Sequence, residues 1–319
     1  MRPEHLIGIA ALLALVAGPL LLGLAGLQHA HRISGSEARK AARPWDWKLT
    51  LASALLYTLA FNLTFFIQEL FLVVPKALTP GLLPILFHNN HTWAGENPLA
   101  RLFQGTGALA IFITGLICAL LLKQRPARSA GVRLFLIWMA YNGFLQSLPQ
   151  VVIGSVEPQN DVGMAMDYLH FSVAGKMAAA LVALIAIAIA ALTLRRPLLS
   201  VAQDMDDVGD SRTRTAFMFR VATLPALAAI LLIIPFRVPR NWVEVAAVPV
   251  VVTVIGIAWM QAGAWAVSGA KASGAPETLG TNVLGSNALG SKTVGYAFGA
   301  LLLLLLVFQL LLRRGVRFY

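Results

Sequence analysis

The sequence has little to offer chemistry that depends on sulfur, and little charge with which to face water. Its single cysteine, Cys118, lies inside an apolar run, so there is no intramolecular disulfide and no Cys-based zinc or iron–sulfur site. Only 12% of residues are charged, against 58% hydrophobic, and the mean hydropathy is +0.74. A soluble fold of 319 residues needs far more charged surface, so composition predicts a chain that hides in lipid. Familiar catalytic strings are missing too. His-Glu-x-x-His, Gly-x-Ser-x-Gly and the phosphate-binding P-loop pattern are all absent, which removes the usual zinc-protease helix, the nucleophile elbow and the nucleotide cradle. Haem is not expected, because only His170 of the six histidines approaches a helix interior and no second helix offers an axial partner.

What is present is a series of hydrophobic runs near residues 6–27, 49–74, 102–122, 132–153, 171–194, 217–235, 243–267 and 294–312. Each approaches the roughly 20 residues that cross a bilayer. The expected fold is therefore all-α: a polytopic bundle of about eight transmembrane helices over residues 1–319, with no soluble domain. The first run is long for a signal peptide and its leader is weakly basic, so it reads as a retained helix. Residues 217–319 read as scaffold, with a Gly/Ser-rich loop at 268–293. That loop carries a five-residue echo (Leu279, Leu284 and Leu289, each followed by Gly), which reads as a low-complexity linker. Gly295 and Gly299, four apart, would permit close helix approach, either within the bundle or between two copies.

The net charge of +11 does not indicate nucleic acid, because the basic residues cluster at the ends of apolar runs, where topology and anionic lipid headgroups favour them. Arg32, Arg39, Lys40, Arg43 and Lys48 follow the first run, Lys123, Arg125, Arg128 and Arg133 the third, and Arg195, Arg196, Arg212 and Arg214 the fifth. The loop after the fourth run has Glu157, Asp161 and Asp167 but no Lys or Arg. This bias predicts an outward N-terminus in a bacterial-type inner membrane. Late in the chain the rule fails: eight spans place Arg237, Arg240, Arg313, Arg314 and Arg317 outside. Either one late segment does not cross, or these arginines serve another purpose.

Polar side chains inside a membrane are expensive and need a partner or a job. Here they gather in runs two to five (residues 49–194) at one depth. Run two carries Asn62, Gln68 and Glu69. Run three opens with Gln104. Run four presents Asn142, Gln146 and Gln150 as one i, i+4, i+8 stripe, and run five brings Asp167, His170 and Lys176. Between runs two and three, the loop at 75–101 holds His88-Asn-Asn-His91 in a Pro-rich but apolar stretch. Such a stretch is expected to fold back onto the mouth of the bundle, because irregular backbone at membrane depth must be buried in protein or line a cavity.

Three readings follow. In the leading one, His88, His91, Asp167 and His170 ligate a divalent metal such as zinc. Glu69 is then the general base of an intramembrane hydrolase of a lipid or peptide, and Asn62, Gln68, Gln104, Asn142, Gln146, Gln150 and Lys176 line the pocket. In the second, the same ionisable groups serve a proton-coupled transporter. In the third, the chain is an accessory subunit whose outer loop docks onto a membrane-complex partner. Expected partners are membrane lipids and an unidentified small ligand, with self-association a further expectation.

Overall fold

The computed structural model describes residues 3–33, 45–124, 129–237, 242–268 and 291–319. The echo at Leu279, Leu284 and Leu289 lies outside them, as do Arg39, Lys40, Arg43, Arg125, Arg128 and Arg240.

The described residues form nine helices, eight of them from the apolar runs. α1 covers residues 3–33 and is interrupted by a π-helical turn at Leu13–Ala17. α2 is Trp47–Ala77, α3 Leu99–Gln124, α4 Ala130–Val156, α5 the short Asp161–Tyr168, and α6 Val173–Leu199. α7 is Ser211–Phe236, α8 Val243–Ala262, and α9 covers residues 291–312. Seven of these are long and apolar enough to cross a membrane. α4 is as long, about 40 Å at 1.5 Å per residue, but Asn142, Gln146 and Gln150 interrupt its apolar run. It compensates by lying at the centre, packed by α2, α3 and α6.

The core gathers around α4. Trp138 and Tyr141 meet Tyr57 of α2 edge-on or tilted, with ring centroids 4.9 and 5.7 Å apart. Their polar tips are satisfied. Trp138 donates to Ser53 Oγ at 3.1 Å, Tyr141 to the Thr253 carbonyl at 2.8 Å, and the Tyr57 hydroxyl pairs with Thr253 Oγ1 at 2.7 Å. Buried aromatic hydroxyls and indoles need such partners, and these tie α2 and α4 to α8. α3 crosses α4 where Gly115 meets Gly143; a Cβ built on Gly143 would stand 2.6 Å from the Gly115 Cα. α1 is held less deeply. Trp259 and Trp265 donate to the Ala14 and Leu22 carbonyls at 3.1 and 3.2 Å.

The loop after α2 is a β-hairpin, β1 (Leu83–Leu86) paired antiparallel with β2 (His91–Ala94). Gly315, at φ +77°, turns the chain after α9 so that β3 (Val316–Arg317) adds to the free edge of β1. The C-terminal tail and the hairpin therefore share one face of the bundle. This fits an even number of long helices and leaves Arg313, Arg314 and Arg317 exposed on the hairpin face, against the charge rule. Arg317 is an exposed strand residue there, and Arg237 is buried (1% exposed). On the opposite face, Arg195 bonds the Gly263 carbonyl, Arg214 the Trp265 carbonyl and Arg212 the Ala30 carbonyl.

Candidate functional site

Two turns of α2 place Glu69 and Lys76 on one face just below the hairpin. Both are buried, at 3% and 0% exposure. Asp46 caps the start of this helix, accepting from the Lys48 and Leu49 amides. Near its end, Lys76 Nζ donates back to the Leu72 carbonyl at 2.9 Å. β2 opens with His91, and pairing with Leu86 sets its ring above Glu69: Nδ1 is 2.9 Å from Glu69 Oε2. α3 brings in Gln104, whose Oε1 lies 2.9 Å from His91 Nε2 and 2.6 Å from Lys76 Nζ. Asp161, first residue of α5, accepts from Gln104 Nε2 at 2.9 Å. Trp93 covers the group, with Lys76 Nζ 4.7 Å from its ring and the His91 ring stacked 5.8 Å away.

These contacts assign the protons. Lys76 is donor-only, so the atom it reaches at 2.6 Å is the Gln104 oxygen, and the amide nitrogen is then the one facing Asp161. His91 Nε2 lies 2.9 Å from the Gln104 oxygen and 3.3 Å from Lys76 Nζ; the shorter contact, to an atom that can only accept, favours Nε2–H. That tautomer leaves Nδ1 facing Glu69 Oε2 at 2.9 Å.

A second arm comes from elements that read as scaffold in the sequence. Asn90, at the hairpin turn, donates to Glu244 Oε2 of α8 at 3.0 Å. Arg237, just past α7, lies 4.1 Å from the Phe65 ring and 5.6 Å from that of Phe61. Burial pulls this guanidinium down to about 10, and the charges of Glu69 and Glu244 pull it back up, so it stays protonated at neutral pH. His88 stacks on Phe308 of α9 at 4.7 Å and bonds the Phe236 carbonyl, which also accepts from Gln309 at 2.8 Å. Burial, with Arg237 adding to it, holds His88 down at about 4, so it is neutral at pH 7.

Of the predicted site residues, Glu69, His91 and Gln104 converge. His88 sits at the hairpin tip on Phe308, beside Arg237 rather than Glu69. Asp167 pairs with Lys176 and lies 3.7 Å from Arg101 Nη2, in a separate recess lined also by Pro98, Tyr168 and His170. His170 has a backbone role there. At φ +55° it is the left-handed residue that ends α5, donating to the Asp167 carbonyl while Phe171 donates to that of Met166. The expected set of four metal ligands is thus divided among three places. Among the described residues, no three His, Cys, Asp or Glu side chains are arranged to hold a metal ion.

The amide stripe binds helix to helix. Gln150 donates to Gln68 Oε1 at 2.8 Å and Gln146 to the Phe61 carbonyl at 3.3 Å, while Asn62 and Asn142 bond carbonyls one turn back in their own helices. Lys76, Asp161, Arg237 and Glu244 were not foreseen as site residues. The available signal was that each is a charge at the border of an apolar run on the hairpin side.

Asp161 gives the cluster a pH dependence. Burial raises its carboxyl to about 6; His91 and Lys76 oppose the shift and Glu69 adds to it. The folded state therefore holds this proton more tightly than the unfolded one. The stability it contributes is complete below the ordinary value of 3.8 and is lost as pH rises through about 6. The thermal midpoint should fall across that window by several degrees. Asp161→Asn keeps an acceptor for Gln104 and should flatten the profile; a wild-type-like slope in Asp161→Asn would exclude Asp161 as its source.

No known protein-family model, curated protein or solved structure matches the chain.

Proposed function

We propose that this chain is a proton-coupled membrane transporter in which Glu69 and His91 carry the proton. One observation carries the reading: near the end of a membrane-spanning helix, the Glu69 carboxyl group lies 2.9 Å from His91 Nδ1, while the Gln104 oxygen lies 2.9 Å from the other ring nitrogen. Ionisable groups at membrane depth are costly and mark ion or proton pathways. Fixing Nε2–H confines exchange to one bond, so a small change in the surroundings of Glu69 or His91 decides whether the pair keeps or releases its proton. The contacts from Arg237, just past α7, and Glu244 of α8 support the reading, since they bring polar groups of the second half of the bundle to those of the first. The hydrolase reading needs Glu69 as a general base open to water, whereas Glu69 is buried and its Oε2 is engaged by His91 Nδ1. The basic residues on the face opposite the hairpin support a cytoplasmic assignment for that face, with the hairpin outside.

The test is a flux measurement. Purified protein is reconstituted in liposomes containing a pH-sensitive dye and challenged with a panel of small carboxylates and phosphate. Wild type should acidify the lumen and Glu69→Gln should not. Equal responses from the two, or none from wild type, would contradict the proposal.

A further inference from the structure

Arg237 is the one large charged side chain in the site whose donors are unmet. It is 1% exposed, and both Nε and Nη2 are buried without a hydrogen-bond partner among the described residues. These two nitrogens form one edge of the guanidinium plane, their N–H bonds pointing the same way. That is the geometry which grips two coplanar oxygens of a carboxylate or phosphoryl group. Phe65 lies 4.1 Å away and orders the guanidinium without using a hydrogen-bonding edge. Neither nearby acid takes it. Glu69 is bonded to His91 and Glu244 to Asn90, and no ion pair within 4.0 Å joins either to Arg237 among the described residues. Of the other charges, Glu69 is bonded to His91 and Asp161 is linked to Lys76 through Gln104, while Glu244 is near enough to feel Arg237 without occupying its Nε–Nη2 edge. A buried guanidinium edge with no acceptor on it is a place for an oxyanion to bind.

We infer that Arg237 anchors an oxyanion ligand, a carboxylate or phosphoryl group held bidentately along its Nε–Nη2 edge. The inference rests on the transporter reading and gives it a substrate class. An oxyanion arriving here takes up the positive field that Glu69 and Glu244 otherwise share, and a proton carried on the Glu69–His91 pair compensates the added charge. Anion and proton then move together. Two sources present this chemistry at this depth: a free solute entering at the hairpin mouth, and the headgroup of an anionic lipid.

The experiment uses the full chain in phosphatidylcholine nanodiscs. Inorganic phosphate and succinate are titrated calorimetrically, and retention of added phosphatidylglycerol is followed by native mass spectrometry. Arg237→Lys, which keeps the charge but loses the fork, should weaken binding about tenfold, and Arg237→Gln should abolish it. Glu244→Gln removes a competing negative charge and should tighten binding several-fold, a gain that misfolding cannot produce. Soluble-anion binding with this pattern identifies a free solute as the ligand; phosphatidylglycerol retention with this pattern identifies a lipid. Wild type that binds neither, or binding that Arg237→Gln leaves unchanged, overturns the inference. Proton flux that depends on Glu69 without Arg237-dependent binding would overturn this inference alone. Arg237-dependent binding without flux would overturn the transporter reading alone.

Discussion

Glu69→Gln should reduce proton-coupled flux by roughly 10²-fold or more, the usual scale for losing a positioned proton-transfer group, while leaving the fold intact. Glutamine has the shape of the carboxyl group and can still hydrogen-bond to His91 Nδ1, so the tie between α2 and β2 survives. What disappears is the second home for the proton. With Gln104 holding Nε2–H, the histidine of Glu69→Gln has no partner with which to exchange. The check is paired: flux in liposomes beside the thermal midpoint in detergent. Loss of flux with a near-unchanged midpoint is the expected result. A large fall in the midpoint would instead identify Glu69 as structural.

Gly143→Ala should destabilise the bundle by roughly 2–3 kcal/mol, the upper range for overpacking a tight core. The added methyl would meet the Gly115 Cα at 2.6 Å and the Ile111 carbonyl at 2.7 Å. Both are backbone atoms of α3, so no rotamer change relieves the clash; the helices must separate. That separation would also move Gln104, about three turns from Gly115 on the same helix, away from His91 and Lys76. Gly295→Ala is the control. Nothing lies within 4 Å of a Cβ there, and a gain in helix propensity makes it neutral or slightly stabilising. Equal thermal midpoints for Gly143→Ala and Gly295→Ala would show that the α3–α4 approach is looser than described.

The bundle was legible because lipid imposes a length and an apolarity that a sequence must display. α4 shows the limit: its amide stripe lowers its hydropathy, and only its place at the centre explains why that is tolerated. Part of the site was legible for the same physical reason, since Glu69, His91 and Gln104 are polar groups at one depth. The rest was hidden by topology. His170 and Asp167 share that depth but belong to the end of α5 and its recess, and nothing in their spacing reveals a left-handed backbone residue. Arg237 and Glu244 sit on either side of a short connection between two apolar helices, where charge looks like a simple boundary. The informative sign was the broken charge rule. An arginine on the side where arginines are disfavoured is a candidate for burial, and Arg237 is the one that reaches the core.

Imidazole nitrogen resonances of His91, in protein labelled with ¹⁵N-histidine and assigned with His91→Gln, test the central claim most directly. The expected result is a protonated, hydrogen-bonded Nε2, as its 2.9 Å contact with the Gln104 oxygen implies, and an Nδ1 resonance that changes in Glu69→Gln. An unprotonated Nε2, or an Nδ1 resonance indifferent to Glu69→Gln, would contradict it.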